Sequence, residues 1–145
     1  MRKYIIALAV VLSFMACNRH SEHWEALCQV ETFIEEQPDS ALVVLQGIDA
    51  GDLSSAEERA KHALMLSMAL DKNFIDKTDF EVLQPAIDYY EDNGSATDKL
   101  RTYYYQGRIY QNAGNDALAM ESYVKALSEG GESDDVLTKA RIYFN

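Results

Sequence analysis

The chain is poor in proline, glycine, cysteine and histidine. Two prolines and seven glycines among 145 residues leave few enforced turns and weigh against a loop-rich or collagen-like polypeptide. Two cysteines cannot build a disulfide framework. Only three histidines occur. His20 and His23 flank Glu22, and His62 stands far along the chain, so a solvated linker explains the first two better than zinc ligation does. Strictly alternating apolar runs of the strand type are scarce. A glycine-rich phosphate loop, a G-x-S-x-G elbow and a Cys/His/Asn arrangement are all missing, so neither an enzyme nor a cofactor is expected. Base is short as well: 13 Lys and Arg face 24 Asp and Glu, a net charge of −11. Such a surface repels nucleic acid and anionic headgroups, which removes both from the expected partners.

A long apolar run is also missing. The most apolar stretch, Tyr4 to Ala16, has 13 residues, against the roughly 20 that span a bilayer as a helix. It comes after the basic start Met1-Arg2-Lys3 and ends on a small residue before Cys17, the layout of a secretory signal over residues 1–16. Phe14-Met15-Ala16-Cys17 resembles the lipobox of bacterial lipoproteins, with Phe14 where leucine is usual and Met15 where a small residue is commoner. The resemblance implies that Cys17 receives a diacylglyceryl group and becomes the new N-terminus, with residues 17–22 as a lipidated tether. The alternatives are an ordinary signal peptide or an uncleaved anchor, with Cys17 uninvolved. Cleavage leaves 129 residues carrying 11 basic and 24 acidic side chains, enough for one domain with a core. Cys28 then stands alone on the apolar side of a helix. Burial explains it better than an intermolecular disulfide does.

The apolar residues recur at steps of three and four, which predicts helices throughout. Trp24, Leu27, Cys28, Val30 and Ile34 mark a first helix ending before Pro38. A second comes next, capped by Asp39 or Ser40, with Ala41, Leu42, Val44, Leu45 and Ile48. A third opens at Ser54 or Ser55 and runs to about Leu70. A loop covers Asp71 to Lys77. The fourth is expected from Thr78 to Asp92, with Pro85 kinking it or delaying its start. Asn93-Gly94-Ser95 stops it. The fifth covers Ala96 to Asn112 and the sixth Asp116 to Glu129, separated by Gly114. After Gly130-Gly131, Val136, Leu137, Ala140, Tyr143 and Phe144 form the stripe of a seventh, expected to pack on the sixth while Ile142 and the ring edges of Tyr143 and Phe144 are left uncovered. The fold class is therefore all-α, with about seven helices in antiparallel hairpins.

Between Leu100 and Ser133 stand Tyr103-x-x-Gln106-Gly107-x-x-Tyr110, Gly114, Ala119-x-x-x-Tyr123 and Ala126-Leu127. This resembles the 34-residue tetratricopeptide pattern, with Gln106 in place of leucine and Gly131 in place of proline. The resemblance implies a short superhelix over residues 23–145, with 100–133 its best repeat, the earlier repeats degenerate and the last incomplete. Gly107 and Ala119 would sit where the paired helices approach most closely, with Tyr103, Tyr110 and Tyr123 beside them. Together with Pro38-Asp39-Ser40-Ala41-Leu42, Ala69-Leu70-Asp71-Lys72-Asn73 and the run Tyr103 to Tyr110, the arrangement resembles a group of lipid-anchored tetratricopeptide proteins common in the Bacteroidetes.

That resemblance implies a lipid-anchored interaction module or scaffold, or the sensor part of an envelope signalling protein. The first helix of each hairpin lines the concave groove in that family. Arg101, Tyr104, Arg108, Gln111 and Asn112 would then face a protein or peptide ligand, two arginines and two amides suiting a carboxylate or peptide backbone. The competing explanation of these residues is charge balance on an acidic surface. The alternative function is a nutrient-binding lipoprotein for glycan or peptide. It predicts exposed tryptophans, and Trp24 is the only one. The membrane would be reached through the lipid alone, and self-association through the last helix is a further expectation. Asn18 is not the retaining aspartate of enteric-type sorting, and Arg19-His20-Ser21 lacks the acidic run associated with surface export. Both point to the outer membrane, facing the periplasm.

Overall fold

The computed structural model describes residues 22–145. The signal segment, Cys17, His20 and most of the tether lie outside the described residues. The described part is all-α: seven helices and one 3-10 turn, with no strand among the described residues. The helices are α1 (Glu22–Phe33), α2 (Pro38–Gln46), α3 (Ala56–Lys72), α4 (Gln84–Asn93), α5 (Ala96–Asn112), α6 (Asp116–Glu129) and α7 (Val136–Phe144), with the 3-10 turn at Ala50–Asp52. From α1 to α6 each helix packs on the next, α5 against α6 most extensively, whereas α7 scarcely touches α6. The odd-numbered helices also touch in series, α1 on α3, α3 on α5 and α5 on α7.

Most helix starts are set by their caps. Ser55 accepts from the backbone N–H of Glu58 at 3.1 Å, and Ser95 with Asp98 forms a full capping box at the head of α5. Asn115 and Asp135 cap α6 and α7 through the N–H groups of Leu118 and Thr138. Each satisfies a donor that the helix itself cannot. Two starts rest on proline instead. Pro38 is itself the first residue of α2, Gln37 stands at the cap without a side-chain bond, and the expected cap at Asp39 or Ser40 does not form. Proline suits that place because its missing N–H would have been orphaned anyway. Pro85 acts likewise in α4, whose start is delayed to Gln84. Thr78 is not helical, and residues 79–83 are bend and turn.

The core runs the length of the stack through Leu27, Ile34, Leu45, Leu64, Met68, Leu83, Leu100 and Tyr105. α3 lies at its centre, with ten of its 17 residues buried. One of these is Glu58, fully enclosed. Its carboxylate accepts from the backbone N–H and hydroxyl of Ser54 at 2.8 and 2.6 Å, bonds without which burying it would be costly. Gly107 and Ala119 are both buried where α5 meets α6. A β-carbon on Gly107 would lie 2.4 Å from the Tyr123 ring, so the glycine makes room for that ring. Gly130 plays the same part further on, its missing β-carbon falling 2.4 Å from Leu100.

α7 presents a different face from the one its apolar stripe suggests. Val136, Leu137, Tyr143 and Phe144 are exposed, whereas Thr138 and Ile142 are buried. The helix packs on α5 more than on α6. The cause is polar: Arg101 Nε donates to Asp135 at 2.6 Å, and Arg141 forks onto Glu35 at 3.1 and 2.7 Å. Asp135, Thr138 and Ile142 are spaced by three and four, so fixing the first fixes the rotation of the helix.

Candidate functional site

The stripe expected to bind a ligand lies on α5, and its members have different surroundings. Arg101 is held between α1 and α7. Its Nη1 donates to Glu31 at 2.9 Å while its Nε donates to Asp135. Tyr104 is 4% exposed, its ring 4.9 Å from Tyr105 and 5.9 Å from Tyr123, so it belongs to the core more than to a surface. Arg108 donates to Asp71 at 2.9 Å and to the Gln111 side-chain oxygen at 2.8 Å. That same oxygen accepts from the Tyr123 hydroxyl at 3.0 Å. Asn112 donates to the Lys77 carbonyl at 3.2 Å. Arg108 and Gln111 are thus brought together and Asn112 ties the neighbouring loop, while Arg101 belongs to a separate cluster two turns away.

The wider pattern is a lattice of ion pairs joining the odd-numbered helices. Glu31 of α1 meets Lys61 of α3 as well as Arg101 of α5. Glu35, just past α1, accepts from Lys72 at 2.6 Å and from Arg141. Burial alone would raise the carboxyls of Glu31 and Glu35. The cations beside them outweigh it and hold both below the usual carboxylate range. Asp135 is also held low: burial raises it, but the Thr138 N–H and Arg101 prevail. Burial pushes the Tyr123 hydroxyl up to about 12.

Between the loop after α3 and helix α7 opens a cleft of about 530 Å³, with Tyr104, Arg108 and Arg141 on its floor and walls and Phe74, Leu137 and Phe144 at its edges. Phe74 and Phe144 are both 91% exposed. Phe74 also has φ of 59°, the left-handed region that L-residues avoid at a cost of about 1–2 kcal/mol. The reason is its place at the end of α3, where the Ile75 N–H reaches back to the Leu70 carbonyl at 3.0 Å, the closing bond of a motif that normally uses glycine. Sequence reasoning alone does not reach Phe74, Lys72, Glu35 or Arg141. An aromatic in a polar loop is the one local sign of Phe74, and nothing local marks the other three.

No family model matches the chain, and no curated protein or solved structure shows significant similarity to it.

Among the described residues no group of three or more His, Cys, Asp and Glu is placed to hold a metal ion. His62 is buried with its Nε2 2.8 Å from the Leu45 carbonyl, tying α3 to α2. Trp24 is partly buried, with the Lys61 ammonium 5.5 Å from its ring. Cys28 is a free, partly buried thiol.

Proposed function

We propose that this protein is a tetratricopeptide-type interaction module, carried into the cell envelope by its leader and held there through a lipid on Cys17. Its partner is a protein segment that enters the cleft between the loop after α3 and helix α7. The observation that carries this is Phe74: an aromatic side chain presented almost wholly to solvent, on a backbone conformation that costs stability, at the mouth of a cleft. The left-handed backbone closes the end of α3, but that role suits glycine and gives an aromatic nothing to pack on. An exposed aromatic kept there, at a cleft, is a mark of binding sites. Arg108 and Arg141 each present more N–H donors than their carboxylate partners occupy. A peptide with an apolar side chain next to a carboxylate or carbonyl therefore suits the cleft, the apolar group against Phe74, Leu137 and Phe144.

Substituting Phe74→Gly separates binding from folding. Thermal melting should show the variant more stable than the parent, by up to about 1 kcal/mol, because glycine tolerates the left-handed conformation. Affinity capture from envelope extracts with the tagged full chain, read by mass spectrometry, should at the same time lose the partners that the parent retains. A variant that is both less stable and fully competent in capture would remove Phe74 from the site.

The anchor has its own test. Metabolic labelling with a fatty acid should mark the parent and not Cys17→Ser, and only the parent should partition with detergent. Acyl chains at about 0.8 kcal/mol per buried methylene make the attachment effectively permanent. Labelling that persists in the variant would refute lipidation at this cysteine. Resistance to protease added to intact cells is the outcome expected of an outer-membrane lipoprotein facing the periplasm.

A further inference from the structure

A small polar cavity borders the loop that carries Phe74. Two facing helices supply its polar groups, Ser67 and Asp71 from α3 and Arg108 and Asn112 from α5. Each pair is spaced by four and so shares one face of its helix. Ile75 and Lys77 meet the same space from the loop. The cavity has a volume of about 10 Å³, close to what one water molecule needs and too little for a larger ligand. Ser67 makes it a site and not merely a gap in packing. The residue is 6% exposed, and its Oγ has no hydrogen-bond partner among the described residues. A buried hydroxyl left alone is costly, and a helical serine ordinarily avoids this by donating to the carbonyl one turn back. Ser122 does so, to Leu118 at 2.8 Å; Ser67 does not.

The other polar groups of the lining have bonding capacity to spare. Asp71 takes the Arg108 Nε on its Oδ1, and a carboxylate has further lone pairs to offer. Asn112 gives one hydrogen of its amide nitrogen to the Lys77 carbonyl and carries a second. Ser67 and two such groups supply the three bonds usual for a buried water. Charge argues against an ion, because Arg108 opposes a cation there and Asp71 an anion. A neutral molecule that both donates and accepts suits hydroxyl, carboxylate and amide alike. We propose that this cavity holds one internal water, bonded to Ser67 and to the polar groups of α3 and α5 beside it, and that this water pins the Phe74 loop onto the two helices. Two direct bonds already tie the loop at the same place, from Asn112 to the Lys77 carbonyl and from the Ile75 N–H to the Leu70 carbonyl. The water's presence does not depend on whether Phe74 meets a partner.

A crystal structure of the full chain in detergent, at a resolution that shows ordered water, tests the site directly. One water is expected about 2.5–3.2 Å from Ser67 Oγ and within the same reach of at least one of Asp71, Arg108 and Asn112. Ser67→Val should leave the cavity dry, since it removes the hydroxyl and puts a second methyl into the space. Ser67→Ala tests the pinning by hydrogen exchange and should fold normally, because alanine suits the interior of a helix. With the water short of one partner, the Ile75 amide should exchange about fivefold faster than in the parent, in keeping with the loss of one hydrogen bond, while amides over 103–107 hold. A dry cavity in the parent, an ion in place of water, or a Ser67 hydroxyl turned onto a protein carbonyl would each overturn the site. Equal exchange of Ile75 in the parent and Ser67→Ala would overturn the pinning.

Discussion

Replacing Gly107 with leucine is expected to lower the melting temperature of the helical domain by roughly 5 °C or more and to blunt its cooperativity. The β-carbon alone would fall 2.4 Å from the Tyr123 ring, and that ring cannot retreat, since its hydroxyl is bonded to Gln111 and its face lies against Tyr104. The α5–α6 pair must therefore separate. Overpacking of this kind costs about 1–3 kcal/mol or more, a large part of the roughly 5–15 kcal/mol that holds a domain together. Ala119→Leu should act in the same direction, as Ala119 is 3% exposed in the same hairpin. Gly131→Leu supplies the control. Its β-carbon would meet nothing closer than 3.6 Å, so the variant should melt within about 1 °C of the parent, in keeping with the small effect of most surface changes. Equal melting of Gly107→Leu and Gly131→Leu would mean that residues 100–133 are packed in another register.

Much of this hairpin is legible in the sequence because its signals are local. Ser95 and Asp98 lie three residues apart, and the tyrosines and small residues of α5 and α6 recur at helical steps, so every helix can be placed and most starts fall near the right residue. The misplacements have physical causes. Proline at the first position of α2 replaces a side-chain cap, and the same chemistry delays α4 beyond Thr78. Periodicity assigns Tyr104 to a surface stripe because it gives the angle on α5 but not what packs there, and in the structure α5 is covered on both sides. In sequence Gly130 reads only as a breaker, since its approach to Leu100 joins points thirty residues apart. The bonds that organise the candidate site are longer still in sequence. Glu31 meets Arg101 across 70 residues and Glu35 meets Arg141 across 106, and no pattern within one helix encodes either.

In α7 such bonds compete with an apolar stripe and prevail. Its hydrophobic side chains outnumber its polar ones, yet Thr138 and Ile142 face inward and Phe144 faces water. Ion pairs at both ends set its rotation. Of the stripe left outside, Leu137 and Phe144 line the cleft.

Removal of the charges should therefore release α7 before the rest of the domain. Arg101 stands between Glu31 and Asp135, and Arg101→Met would leave Asp135 without its cation and Glu31 with Lys61 alone. Hydrogen bonds to charged groups contribute about 1.5–3 kcal/mol, so amide protection factors over 136–144 should fall about 30-fold, while those over 103–127 hold. Acid should act the same way. Glu31, Glu35 and Asp135 are all held below their ordinary values. A carboxyl with a lowered folded-state pKa stabilises fully above its unfolded pKa and loses that contribution as pH falls through the folded one. Protection of α7 should thus be level from pH 7 to about 5 and decline below about 4, the unfolded carboxyl range, ahead of any change in α5 and α6. Because these side chains are partly open to solvent, salt at about 1 M should reproduce part of the effect at neutral pH. A helix α7 whose protection ignores Arg101→Met, salt and acid alike would be held by its apolar contacts, and its rotation would then need a cause other than the ion pairs.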